Sequence, residues 1–146
     1  MYPKELMAGV YWRFLGGKYE SQTEFVRNVT EFNKEFRKNK WNSNETVLKS
    51  SKVSILYSYW DYDIDEEIEE VFELEANNKT GFTAGELLYK VHNQVIDKLE
   101  NEVHQSFEGF LLGENESHQV LESLLLGEQT YNINHNQPFY FIKQWY

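Results

Sequence analysis

Phe82-Thr83-Ala84-Gly85-Glu86-Leu87 is the stretch on which the fold turns. Thr83 followed three residues later by Glu86 is a capping-box pattern, in which the threonine oxygen accepts from the backbone N–H of the fourth residue and the glutamate reaches back. Phe82 and Leu87 stand where a hydrophobic staple would clamp the first turn. The pattern predicts a helix from here to about Asn101, with Leu88, Val91, Val95 and Leu99 on its buried face.

On both sides of this helix the apolar period falls to two. Upstream, Val53, Ile55, Tyr57 and Tyr59 alternate with Lys52, Ser54, Leu56 and Ser58, and Phe72, Leu74 and Ala76 alternate with Glu73 and Glu75. Both runs read as strands, and the polar loop Asn77-Asn78-Lys79-Thr80-Gly81 closes the second. Downstream, Ser106 to Leu112 reads as a third strand and Phe139 to Ile142 as a last one.

Toward the N-terminus, Leu6, Met7, Val10, Tyr11, Phe14 and Leu15 fall at helical spacing, with Pro3 ahead and Gly16-Gly17 behind, which predicts a helix over 4–15. A second capping box, Ser21-Gln22-Thr23-Glu24, opens a helix burying Phe25, Val29, Phe32 and Phe36. The run 119–126 fits a short helix or a strand, and we favour helix. The expected architecture is one α+β domain over 1–146, a mainly antiparallel sheet of about four strands with helices packed on one face.

Composition bounds the function. With 146 residues, 40% hydrophobic and 16% aromatic, the chain has the means to build one globular core. It has no cysteine, hence no disulfide and no thiolate chemistry. Met1-Tyr2-Pro3-Lys4-Glu5 lacks the layout of a signal peptide and no apolar run reaches a bilayer's thickness, so we expect a cytoplasmic protein without membrane partners and read the Asn-x-Ser/Thr sequons at Asn28, Asn44, Asn78 and Asn115 as chance. A formal charge of −10 disfavours direct nucleic-acid binding, which needs clustered Lys and Arg, and favours a basic partner or simple solubility.

The candidate site is an acidic run flanked by aromatics: Tyr57, Tyr59, Trp60, Asp61, Tyr62, Asp63, Asp65, Glu66, Glu67, Glu69 and Glu70. Tyrosine and tryptophan are typical interface anchors, and carboxylates suit a partner's lysines and arginines. The bland reading is a solvated turn between two strands. Asp61, Asp63, Asp65 and Ile68 resemble part of an EF-hand loop, but Glu66 occupies the place of the turn glycine and Phe72 that of the closing glutamate, so specific calcium binding is not expected.

Catalytic patterns are weak. His92, His104, His118 and His135 are far apart and form no metal-binding spacing, and His92, one turn from Leu88 and Ile96, reads as a core-edge residue. Ser106 near His104 lacks a nucleophile-elbow context, and Glu108 in an alternating strand reads as an ordinary polar residue. Lys34, Arg37, Lys38, Lys40, Lys49 and Lys52 form an opposite, basic pole; such a patch can touch nucleic acid or an acidic partner, but more often it is a solvated helix end. No enzyme activity and no cofactor are expected.

The segment Phe82-Thr83-Ala84-Gly85-Glu86-Leu87-Leu88-Tyr89-Lys90-Val91-His92-Asn93, with Ser106-Phe107-Glu108-Gly109-Phe110 and Pro138-Phe139-Tyr140-Phe141, resembles bacterial immunity proteins of toxin–immunity systems, including contact-dependent growth inhibition. The resemblance covers less than half of the chain and carries no defined set of functional residues. It implies a small cytosolic inhibitor of one cognate toxin, commonly a nuclease, and so a protein partner with a basic surface. Two other readings stand beside it: a non-inhibitory adaptor using the same surface, and a small-molecule binding domain with Glu108 and His104 as its polar groups.

Overall fold

The computed structural model describes residues 2–100, 106–113 and 137–145. It is an α+β structure with the elements β1 (Glu5–Leu6), β2 (Trp12–Arg13), α1 (Gln22–Asn33), β3 (Thr46–Leu48), β4 (Lys52–Asp61), β5 (Glu66–Glu75), β6 (Phe82–Thr83), α2 (Ala84–Leu99), β7 (Ser106–Leu112) and β8 (Phe139–Trp145). The main sheet has six strands in the order β1-β7-β8-β4-β5, with β2 also on β7, and β3 and β6 form a separate pair. All pairings are antiparallel except β4 with β8, which is parallel. The sheet is thus larger than the four expected strands.

The α2 region follows its sequence pattern closely. Thr83 is the N-cap in extended conformation, and its Oγ1 accepts from the N–H of Glu86 at 3.2 Å. Glu86, however, does not close the box. Its Oε2 accepts from the N–H of Asn77 at 2.6 Å and from Lys90 Nζ at 2.9 Å, so this buried carboxylate fastens the β5–β6 connection to the helix. Phe82 and Leu87 are both fully buried, as the staple requires. α1 is capped by Ser21, whose Oγ accepts from Glu24 N–H at 3.1 Å.

The first fifteen residues are not a helix. Met7 and Gly9 take positive φ values of 59° and 83°, conformations a helix cannot contain. β1 lies on Phe110 and Leu111 and β2 on Ser106 and Phe107, so this segment lines one edge of β7 in two short pieces. The excursion at 7–9 shifts the phase of burial. Val10, Trp12 and Phe14 point inward with period two, while Arg13 and Leu15 are exposed. Gly109, at φ 111°, sits where β7 passes under this crossing. A side chain there would press on the Leu6 carbonyl at 2.8 Å.

The core lies between the helices and one face of the sheet. Phe25 and Val29 of α1, and Leu87, Leu88, Val91, Val95, Ile96 and Leu99 of α2, pack on Val53, Ile55, Tyr57, Leu74, Phe107, Phe110, Tyr140 and Ile142. Phe36 lies beyond α1 and stacks on Tyr11 at 4.2 Å, leaving the buried end of α1 to Asn33. The Asn33 amide acts as a surrogate strand: Oδ1 accepts from Tyr11 N–H at 2.9 Å, and Nδ2 donates to Tyr11 O at 2.7 Å and Val29 O at 2.9 Å. The other face of the sheet carries Ser54, Leu56 and Phe139, also buried but apart from that cluster. The expected helix over 119–126 lies outside the described residues.

Candidate functional site

The acidic run is chiefly strand. β4 and β5 pair from Lys52↔Glu75 to Asp61↔Glu66, so Glu66 to Glu70 are extended and the turn is only Tyr62-Asp63-Ile64-Asp65. Asp61 Oδ1 accepts from Asp63 N–H at 3.0 Å, and Asp65 takes a φ of 54°, which aspartate tolerates better than most residues. Parallel pairing of β8 on β4 covers only Ser54, Ile55 and Leu56. The half of the hairpin beyond them therefore extends past the described ladder with β8.

Alternation divides the candidate residues between two faces. Toward the helices lie Tyr57, Tyr59, Asp61, Glu66, Ile68 and Glu70. Tyr57 is buried, at 3% exposure, and is a core residue. Its hydroxyl donates to Glu70 Oε2 at 2.7 Å, and the Tyr59 hydroxyl donates to Oε1 of the same carboxylate at 2.9 Å. The rings are stacked at 5.9 Å, and Lys98 at the end of α2 lies 5.2 Å from the centre of the Tyr59 ring. Burial raises the Tyr57 pKa well above the usual phenol value, and the hydrogen bond to Glu70 and its charge push it further the same way. Tyr57 is thus a neutral donor, not a nucleophile. Glu70 joins strand to strand.

The other face of the hairpin carries Trp60 opposite Glu67 and Ser58 opposite Glu69. Burial raises the pKa of Glu69, and the charge of Glu67 adds to the shift. Trp60, Tyr62 and Ile64 are 40%, 66% and 54% exposed, and with Leu15 they are the exposed large apolar side chains of the described residues. Asp63, Asp65, Glu66 and Glu67 are exposed as well. The tip therefore combines exposed apolar side chains with exposed carboxylates. Alternation in the sequence identified Trp60 and Tyr62 as aromatics but gave no reason to single out Ile64, which only the four-residue turn brings outward.

Other candidates resolve differently. His92 is fully buried: Trp12 Nε1 donates to its Nδ1 at 3.0 Å, which leaves Nε2 as the protonated nitrogen facing Gly17 O at 2.8 Å. Burial lowers its pKa, against a smaller opposing effect of the Gly17 carbonyl. It ties the Gly17 loop to the core and sits deeper than the core edge its spacing suggested. Glu108 is half-buried beside the irregularity of β7, whereas His104, His118 and His135 lie outside the described residues. In the basic pole, Lys34 pairs with Glu31 at 2.7 Å.

A cleft of about 120 Å³ near Met7, Lys40 and Glu45 is smaller than the several hundred Å³ usual for small-molecule sites. Among the described residues, no three His, Asp or Glu side chains converge to hold a metal ion, and no helix is long and apolar enough to cross a membrane. Comparison of the chain with protein-family models, curated proteins and solved structures gives no match.

Proposed function

We propose that this protein is an immunity-type inhibitor that binds and neutralises a basic toxin domain, of the nuclease kind that the sequence resemblance implies, through the distal β4–β5 hairpin. The observation that carries the reading is the tip, where Trp60, Tyr62 and Ile64 stand exposed together with exposed carboxylates. Aromatic and aliphatic anchors hold a complex together, and surrounding charge steers a partner of opposite sign. The hairpin beyond Leu56 extends past the described ladder with β8, which supports its tip as the surface that would occlude a basic active site.

The test is kinetic, using the basic domain that copurifies with the chain from a host expressing the adjacent gene. Asp63→Lys, Glu66→Lys and Glu67→Lys together should slow association at least tenfold and leave dissociation within about threefold, because rim charges act on encounter. Asp61 and Asp65 are left intact because they hold the turn. Trp60→Ala should instead speed dissociation. Unchanged rates in both folded variants, or a partner that binds without losing activity, would refute the assignment.

A further inference from the structure

His92 is a fully buried titratable group that the proposed function does not use, and its hydrogen bonds leave no place for a second proton. An indole N–H can only donate, so the 3.0 Å bond from Trp12 Nε1 occupies the lone pair of Nδ1. The single proton of the neutral ring is then on Nε2, which donates to Gly17 O at 2.8 Å. An imidazolium would carry a proton on Nδ1 as well, and two N–H groups would face each other across that 3.0 Å. Trp12 cannot turn to accept. The charged ring and the Trp12 bond are therefore mutually exclusive, whereas the bond to Gly17 O is kept and becomes charge-assisted.

The two anchorages decide which side yields. His92 lies inside α2, where Leu88, Val91, Val95 and Ile96 are buried with it. Trp12 belongs to β2, a strand of two residues on β7, and is followed by Gly16 and Gly17 at φ 85° and 77°. Past these glycines the chain is pinned again: Tyr19 N–H donates to Asn93 Oδ1 and Asn93 Nδ2 to Tyr19 O, both at 2.8 Å. The short piece between a two-residue ladder and a glycine pair can move without unpacking α2. Its indole also packs on Phe25 and Phe32, which keeps the open form a minor one at neutral pH.

Among the described residues, what packs on the His92 ring is aromatic. Trp12, Phe14, Tyr19 and Phe25 stand at centroid distances of 5.2 to 5.9 Å, and β7 backs Phe14 through Phe107 at 6.0 Å. Of these only Tyr19 is ionisable, and its hydroxyl accepts from Asn28 Nδ2 at 3.0 Å. The charged side chains on the same elements are Arg13, Lys18, Glu20, Glu24 and Asp97, all exposed, with Lys18 and Asp97 paired at 3.4 Å. Glu86 of α2 pairs with Lys90 at 2.9 Å, and Glu108 is half-buried beside Phe107. Burial thus disfavours a charge on the closed ring, with the Gly17 carbonyl as a smaller offset.

We propose that His92 is an acid-operated latch: uptake of a proton frees Trp12 and opens the β2 segment about Gly16-Gly17 while the α2 core stays closed. If the open form titrates at the ordinary histidine value of about 6.5, its population rises about tenfold between pH 7.5 and 5.5.

Hydrogen exchange of the Trp12 indole N–H, read by NMR on the full chain and corrected for its intrinsic pH dependence, tests this. Its protection should fall at least fivefold between pH 7.5 and 5.5. Dilute denaturant that speeds exchange of the Val91 amide should leave Trp12 unchanged, because a local opening exposes little surface. In His92→Gln the amide can accept from Trp12 and donate to Gly17 but cannot take up a proton, so the fall should shrink below twofold. That variant also subtracts titrations elsewhere in the chain. Trp12→Phe provides a second measurement that does not depend on how glutamine fits: without the opposing donor, the proton affinity of His92 should rise at least threefold in an NMR titration. Protection of Trp12 that holds to pH 5.5 would overturn the latch. So would a Trp12 proton that follows Val91 in denaturant, an equal fall in the glutamine variant, or a His92 titration that ignores Trp12→Phe.

Discussion

Around His92 and at the hairpin tip the same kinds of side chain are put to opposite uses. His92 is ringed by Trp12, Phe14, Tyr19 and Phe25 at centroid distances of 5.2 to 5.9 Å, and both its nitrogens are satisfied within the chain. At the tip, Trp60, Tyr62 and Ile64 are exposed and their polar neighbours are anionic. Where aromatics are closed in by other rings and each polar group has a partner, they build stability. Where they stand exposed at the end of a ribbon, they bury less surface in the fold, and in the reading proposed above they serve a partner. The tyrosine pair on Glu70 marks the border, half-way along the hairpin, between these regimes.

The sharpest way to break this comparison is in the core. Phe25 is fully buried and touches the rings of Trp12, Tyr19, Tyr89 and His92. Phe25→Ala should cost about 3–5 kcal/mol in denaturant melts. A loss near 1 kcal/mol would mean that the ring cluster around His92 is loosely packed and that the contrast with the tip is false.

His92 gives the next largest effect. Its pKa is lowered in the folded protein, so the folded state holds it neutral while the unfolded state takes up a proton as pH falls below about 6.5. Its contribution to stability is therefore full above that pH and is lost on acidification toward the lower folded value, with a slope of at most ~1.4 kcal/mol per pH unit. Equilibrium melts between pH 7.5 and 5 should show the decline, and NMR should find the imbalance at its source: an imidazole that titrates below the ordinary histidine value of about 6.5. A ring titrating at or above 6.5 would contradict its burial.

Thr83→Ala is expected to cost about 1 kcal/mol, the usual value of a helix N-cap. Thermal or denaturant melts equal to those of the parent would show that the Glu86 link to Asn77 fixes the helix start without the cap.

These elements also show what was legible in the sequence. α2 and β7 could be read because their signals are local: a cap with its staple, and a run bounded by polar residues. The segment 4–15 could not, because Met7 and Gly9 insert a turn whose phase shift imitates helical spacing, and because its pairing partner β7 is about a hundred residues away. The first half of β5 was obscured for another reason. The four glutamates of Glu66–Glu70 read as a solvated turn, whereas in the structure they are extended and paired with β4, with Glu70 accepting from the hydroxyls of Tyr57 and Tyr59. The acidic, aromatic segment was visible as a patch. Its division, with Tyr57 and Glu70 turned inward and Ile64 outward, needed the register of the hairpin.

The smallest expected effect lies at the tip and bears most directly on function. Tyr62 is 66% exposed at the turn, and its ring contributes to no described core cluster. Tyr62→Ala should leave the melting midpoint within the equivalent of about 0.5 kcal/mol, as surface substitutions generally do. The same change should speed release of a basic protein partner several-fold, because an anchor lost from an interface centre acts mainly on dissociation. Measuring both quantities on one preparation separates the two regimes within a single residue. A protein that is destabilised by several kcal/mol would assign Tyr62 to the fold, and one with unchanged stability and unchanged release would leave the tip as solvated surface. Only stability preserved together with faster release fits a hairpin whose exposed aromatics serve a partner and not the core.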